Sequence, residues 1–241
     1  MFLLFSPVFV WFCFAGRIFF PPDFFVKDVV ETQISVAEIP GLQSFLKIGF
    51  ESGEDLNHWQ EHRFVGRTQY QIVTDENGGW ILDALSQGTA SGYIKSLKIK
   101  GEAKPRLSWE WRVQEFPSRD GDAMPVNKSE DDFSLRVYAI FQGALPWRRQ
   151  VIQYVWDESI PEGYFQDSPH TGQVKMLVVE SGRRDDAGWV REERDLTADY
   201  EKIFGKVPDC PLTAIGIMSD ADNTQTRTHA QLKNLGIAWT A

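Results

Sequence analysis

The clearest pattern in the chain is a short alternation, Leu107-Ser-Trp-Glu-Trp-Arg-Val113. Successive side chains of a strand point to opposite faces. Leu107, Trp109, Trp111 and Val113 therefore share one face, and Ser108, Glu110 and Arg112 share the other. This spacing predicts a central strand with its tryptophans in a core. Residues 132–141 alternate in the same way, with Phe133, Leu135, Val137, Ala139 and Phe141 inward and Asp132, Ser134, Arg136 and Tyr138 outward. Further β-rich runs are predicted at 64–73, 80–85, 93–99, 151–156, 174–181, 212–218 and 231–239, the last with Leu235, Ile237 and Trp239 on one face. Turns and loops are expected at Gly78-Gly79 and at 86–91, 116–130, 157–172, 183–188 and 219–228. One helix is expected near residues 195–204. Asp195 or Thr197 caps it, Leu196, Tyr200, Ile203 and Phe204 recur at helical spacing, and Gly205 and Pro208 end it. Strands do not alternate with helices, so the pattern predicts an all-β fold, a two-sheet antiparallel β-sandwich with one short α-helix.

Composition supports a packed core: hydrophobic residues make up 42% of the 241, with nine Trp and 17 Phe. A formal charge of −9 argues against a nucleic-acid footprint, which would be basic. Only Cys13 and Cys210 are present, which excludes an intramolecular disulfide framework. Residues 1–14 are almost wholly apolar, and Cys13-Phe14-Ala15 offers a small-x-small cleavage site. Residues 1–20 are expected to be a signal peptide, with a membrane anchor as the rival reading, since no basic residue precedes the run and Arg17 interrupts it. Residues 21–46 form a lead-in in which 28–37 could be an edge strand, and residues 47–241 form a single β-sandwich domain. Either reading of the first segment places the domain in the periplasm or outside the cell. Contact with a membrane would come only through the N-terminal segment, if uncleaved.

Several landmarks then carry a resemblance. Phe50-Glu-Ser-Gly53 with Trp59, Gly79-Trp-Ile-Leu-Asp-Ala84 and Ser91-Gly-Tyr93 look like a jelly-roll carbohydrate-binding module. Leu107-Ser-Trp-Glu-Trp-Arg112, Asp131-Asp-Phe133, Arg136-Val-Tyr138, Tyr154-Val-Trp156, Val179-Glu-Ser-Gly182, Asp199-Tyr200, Phe204-Gly205 and Ser219-Asp-Ala-Asp-Asn-Thr224 follow in this order. Together they resemble the bacterial domain-of-unknown-function family 3047, from about Phe50 to Trp239. The resemblance implies a jelly-roll-like sandwich and an exported protein, and no particular reaction.

Candidate chemistry is sparse. Asp220, Asp222 and Asn223 offer oxygens at spacings that suit Ca²⁺, although the EF-hand pattern is missing and an Asx-rich turn explains the same residues. Glu110, Arg112, Asp132 and Arg136 fall on the outward faces of two strands read as possible neighbours. There they would form a carboxylate–guanidinium network for a polar ligand or a structural ion-pair face. Tyr154 and Trp156 precede a long loop and serve either as a stacking platform at the rim or as core. Glu110, Asp132, Glu180, Asp220 and Asp222 are the pool for a hydrolytic carboxylate pair. His58 and His62 lack the intervening Glu of a metalloprotease helix, Ser181 lacks a nucleophile-elbow context, and Cys210 has no evident base.

Three readings follow. The first is an exported, non-catalytic sandwich that binds a polysaccharide or a cell-envelope component through Glu110, Arg112, Asp132, Arg136, Tyr154, Trp156 and Glu180. The second is a carbohydrate-active enzyme using a carboxylate pair. The third is a structural or interaction protein of the envelope. No cofactor is required by any of them, Ca²⁺ being the one candidate.

Overall fold

A computed structural model describes residues 44–97, 104–119, 124, 126–142, 148–184 and 188–239. The N-terminal apolar run and the edge strand expected at 28–37 lie outside these residues. In chain order the strands are β1 (Ser44–Lys47), β2 (Gln60–Val65), β3 (Gln69–Thr74), β4 (Trp80–Gln87), β5 (Ala90–Ser96), β6 (Arg106–Glu115) and β7 (Arg136–Phe141). They continue with β8 (Gln150–Asp157), β9 (Phe165–Ser168), β10 (Thr171–Ser181), β11 (Val190–Asp195), β12 (Leu212–Asp220) and β13 (Arg227–Trp239). Helix α1 (Leu196–Phe204) sits between β11 and β12. No helix of the described residues is long and apolar enough to cross a membrane.

The strands form two sheets. One runs β11-β6-β13-β4-β3, with β1 added along β13; the other runs β2-β5-β12-β7-β8-β10-β9. Pairing is antiparallel except between β8 and β10, which run parallel. The parallel pair arises because β9, inside the expected loop 157–172, forms a hairpin with β10 at the sheet's edge. The fold is the all-β two-sheet sandwich that the alternation predicts, of the jelly-roll type that the resemblance implies.

The core lies between the sheets, and an aromatic seam runs through it. Leu107, Trp109 and Trp111 of β6 are buried, while Glu110 and Arg112, which alternate with the tryptophans, are partly exposed. Trp109 meets Trp111 edge-on at 5.4 Å between ring centroids and meets Tyr154 of β8 at 5.4 Å. Trp111 meets Trp156 of β8 at 5.9 Å. β6 and β8 belong to different sheets, so these rings join the two layers. Edge-to-face and tilted pairs of this kind add about 0.5–1.5 kcal/mol each beyond their burial.

Helix α1 follows β11 without a loop. Asp195 caps it by accepting from the Thr197 and Ala198 N–H groups at 3.1 Å, and Gly205 ends it in the left-handed region at φ +71°. Leu196, Tyr200 and Ile203 bury its apolar stripe in the core.

Four expectations need correction. The run 64–73 is two strands, because Gly66 at φ +60° turns the chain and sends β2 and β3 into different sheets. The polar loop expected at 86–91 is mostly strand, since only Gly88 and Thr89 separate β4 from β5 as the chain crosses from one sheet to the other. Phe133 packs with Val155 and Val178 on the outer side of the seven-stranded sheet, because residues 132–135 precede β7 and do not keep its alternation. β6 and β7 are not neighbours, so Glu110 and Arg112 share no face with Asp132 and Arg136.

Removing the seam's central ring tests this packing. Trp109→Ala is expected to destabilise the fold by about 3–5 kcal/mol in urea denaturation. A loss below about 1 kcal/mol would mean that the ring does not join the sheets.

Candidate functional site

Three polar regions stand out, and they differ in access. The first is a sealed ionic clamp at one end of the seven-stranded sheet. Arg136 begins β7 and Asp220 ends β12, its neighbour, so the pairing brings them together. The Arg136 Nε donates to Asp220 Oδ1 at 2.9 Å, its Nη2 donates to Asp220 Oδ2, and its Nη1 donates to Asp131 Oδ1 at 3.2 Å. The Asp131 carboxylate also lies 3.3 Å from His170 Nε2. Burial opposes the Arg136 charge, but Asp131 and Asp220 outweigh it and hold the guanidinium charged. Burial pushes the Asp220 carboxyl up, with Arg136 pulling the other way. Asp132 is fully buried and accepts from the backbone and amide N–H groups of Asn223 at 3.2 and 3.0 Å and from the Thr224 N–H and hydroxyl at 2.6 Å.

Asp132, Asp220 and Asp222 each bring one carboxylate oxygen within 4.8 Å of the others. Their oxygens are the donor set that a hard cation prefers. Asn223 turns its amide N–H toward Asp131 and Asp132, so its nitrogen donates within the cluster. Arg136 already supplies positive charge at Asp220, and the Asn223 and Thr224 donors hold both Asp132 oxygens.

The second region lies inside the sandwich at its edge. A bulge in β10 between Val178 and Glu180 sets Glu180 against Trp156. From the opposite sheet, β11 presents Glu192, which is in register with Trp109 on the core side of β6 and is 8% exposed. Burial pushes the Glu192 carboxyl up to about 7, helped by the Glu180 charge and, more weakly, by Glu162. Arg194 and the Trp111 indole N–H oppose the rise. Arg194 is itself committed to Asp199 through two bonds of 2.9 and 2.7 Å, and Asp199 also accepts from the Tyr154 hydroxyl at 3.0 Å. Glu180 is paired to Arg184 at 3.5 Å.

The third region is the outer face of the six-stranded sheet, which is polar and reaches solvent. β13 lies between β6 and β4, and its register aligns Arg112, Gln231 and Asp83 in one row. Arg112 Nε donates to Gln231 Oε1 at 2.7 Å, and Gln231 Nε2 donates to Asp83 Oδ1 at 2.5 Å. His229 Nε2 lies 2.8 Å from the same Asp83 oxygen. Burial would raise the Asp83 carboxyl, but the bonds from His229 and Gln231 win and hold it below the usual range. In the next row Lys233 faces Glu110, with Nζ 3.9 Å from Glu110 and 3.6 Å from Asp75. Asn234 takes a left-handed conformation at a bulge, which asparagine tolerates, and donates to Glu110 Oε1 at 2.8 Å. Trp189, just before β11, lies beside both cations: the Arg112 guanidinium is 4.8 Å from its ring centroid and the Lys233 ammonium 4.3 Å.

The sequence-predicted residues are thus divided. Glu110 and Arg112 lie on the open outer face. Asp132 and Arg136 are locked in the buried clamp, so neither faces outward. Tyr154 and Trp156 are 0% and 2% exposed, so they belong to the core and form no platform at the rim. Glu180 lies at the inter-sheet edge. The sequence reading missed Glu192, Trp189, Gln231 and Lys233. Glu192 carried a signal, because Val190, Glu192 and Arg194 alternate with Arg191 and Glu193 in a short run.

The model of the family described as "Protein of unknown function (DUF3047)" matches residues 57–235. The chain belongs to this family. No curated protein matches it in sequence. This DUF3047 chain is similar in structure to the family 11 carbohydrate-binding module of the cellulosomal cellulase Lic26A-Cel5E of Clostridium thermocellum. That likeness has 11% identity and a TM-score of 0.39, covering 75% of the chain and 86% of the module. It is also similar to the xyloglucanase domain of NopAA, a type three effector from Sinorhizobium fredii, at 10% identity and a TM-score of 0.39, covering 86% and 98%. A third similar structure is TmCBM61 in complex with beta-1,4-galactotriose, at 8% identity and a TM-score of 0.38, covering 78% and 92%. At such identities and scores, function in this DUF3047 chain has to be read from its own side chains.

Two substitutions separate the buried regions. Arg136→Ala strands two buried carboxylates and is expected to cost about 3–5 kcal/mol of stability in urea melts at pH 7. Glu192 binds a proton more tightly folded than unfolded, so stability should fall as pH rises from the ordinary glutamate range toward about 7. Glu192→Gln should flatten this slope and raise stability at pH 8 by roughly 1–3 kcal/mol. An unchanged pH profile in the variant would assign the raised carboxyl elsewhere.

Proposed function

We propose that this protein is an exported, non-catalytic glycan-binding module whose binding surface is the outer face of the six-stranded sheet. The observation that carries the reading is the row Arg112–Gln231–Asp83 across three strands, flanked by Glu110, Lys233 and the Trp189 indole. A sugar presents closely spaced hydroxyls around an apolar ring. Guanidinium, amide and carboxylate groups fixed by one another offer donors and acceptors in a set geometry, and their mutual bonds reduce the ordering cost of binding. The indole adds an apolar surface at the edge of the row. The opposite outer face is dominated by Tyr138, Ile140, Val151 and Met218, which are buried and apolar. The apolar run at residues 1–14 supports export.

A second reading draws on Glu180 and Glu192. Carboxylates from two facing strands, one with its carboxyl near 7, suit acid–base work on a glycosidic bond. Burial of Glu192 to 8% exposure favours the binding reading over this one.

A glycan array probed with the domain, followed by titration of the best ligand, decides the matter. Binding to one class of polysaccharide is expected, weakened about tenfold or more by Arg112→Ala or Trp189→Ala. Silence across the array, or affinity unchanged in both variants, overturns the reading. Release of reducing sugar that vanishes in Glu192→Gln would replace it with the hydrolytic one.

A further inference from the structure

The outer face of the six-stranded sheet also holds a titratable pair, His229 and Asp83. His229 precedes Gln231 by two residues on β13, so both side chains leave the same face. His229 Nε2 lies 2.8 Å from Asp83 Oδ1, the oxygen that also accepts from Gln231 Nε2 at 2.5 Å. One carboxylate oxygen thus serves two neighbours. Among the described residues, Asp83 Oδ2 and His229 Nδ1 take no hydrogen bond. The pair is shielded yet reachable, with the His229 side chain 26% and the Asp83 side chain 24% exposed.

The chemistry of the pair fixes its protons. Burial would raise the Asp83 carboxyl, but the bonds from His229 and Gln231 hold it below the usual range. Asp83 is therefore ionised at neutral pH and can only accept. A neutral His229 must then carry its proton on Nε2, which leaves Nδ1 as an acceptor. A second proton can enter only at Nδ1. It turns that acceptor into a donor and sets a full positive charge beside Asp83. The charged groups around the ring are Asp83 from β4, Glu115 and Arg112 from β6, and Arg227 and Lys233 on β13 itself. β3, beyond β4, brings the neutral Gln69 and Gln71. Glu115 is paired with Arg227 at 3.2 Å, so the carboxylate bound to the ring is Asp83.

An imidazolium holds a carboxylate more tightly than a neutral ring does. It competes with Gln231 for Asp83 Oδ1, and Gln231 is the link from Asp83 to Arg112. Protonation therefore changes the row twice: an acceptor is lost at Nδ1, and the amide between the two charged ends is loosened. We infer that His229 is a pH switch for this face, which presents its glycan-binding arrangement while the ring is neutral and loses it when the ring is protonated. The switch rests on the glycan-binding reading of the same face and adds its regulation. Linkage demands the reverse effect as well: a glycan that prefers the neutral ring moves the ring's titration to lower pH.

Nuclear magnetic resonance of the free full chain, followed from about pH 8 to about pH 5, tests the switch without any glycan. The Gln231 side-chain amide is expected to shift with the same midpoint as the His229 ring. An amide that ignores the ring overturns the inference. Isothermal titration over the same range, with a soluble oligosaccharide of the class that leads the glycan array, reads the consequence. Affinity should fall about tenfold or more toward the acid end, and binding should lower the ring's midpoint by about one pH unit per tenfold. His229→Gln keeps a neutral donor for Asp83 and should lose the slope, at whatever affinity it retains. Glu192, raised to about 7, titrates in the same range, so Glu192→Gln must keep the slope. A flat affinity in the unmodified chain, an unchanged slope in His229→Gln, or a slope lost in Glu192→Gln overturns the switch and leaves glycan binding standing. Absence of binding at every pH overturns the glycan reading instead, and the Gln231 amide still decides the switch.

Discussion

The structure depends on one contact between layers, the stack of aromatic rings that passes from β6 to β8. Trp109 and Trp111 reach across to Tyr154 and Trp156, and this pins the register of β6 against the opposite sheet. Because strand side chains alternate, the same pinning turns Glu110 and Arg112 outward. It also fixes what lies beside the rings at the sandwich edge, where β11 pairs with β6 and sets Glu192 near Trp111 and Glu180. A shift of β6 by one residue would exchange core and surface at every position.

Charge in this protein follows access to water. Arg136, Asp131 and Asp220 are dehydrated together, and the group survives because each charge meets an opposite one. It locks the end of β7 to the end of β12. The outer face of the six-stranded sheet uses similar residue types at partial exposure. Their bonds there contribute little stability, and in the proposed function their worth lies in holding a set of polar groups ready for a ligand.

The sequence made the amphipathic elements legible. β6, β8, β12, the end of β13 and α1 follow patterns whose apolar face has one partner, the core. β11 was not legible, because Val-Arg-Glu-Glu-Arg-Asp is mostly charged and packs at a sheet edge, where few apolar residues are needed. β9 is short and polar for the same reason. Both Arg136 and the Asp220-Ala-Asp222-Asn223 stretch were visible, yet their union was not. It depends on β12 lying beside β7, a pairing of residues more than eighty apart. Glu110 and Arg112 were visible as outward-facing, but their partners come from β13, which slots between β6 and β4. Tyr154 and Trp156 could have faced either way, and the aromatic stack from β6 decided for the core.

The account places glycan recognition on one face of one sheet. Titrating an isotopically labelled domain with its best oligosaccharide, while following side-chain amide and indole resonances by nuclear magnetic resonance, observes that face directly. The account predicts saturable shifts at the Trp189 indole, the Gln231 amide and the Asn234 amide, with the buried Trp109 and Trp111 indoles unmoved. Shifts confined to residues around Tyr138 and Met218, on the far side of the other sheet, would contradict it.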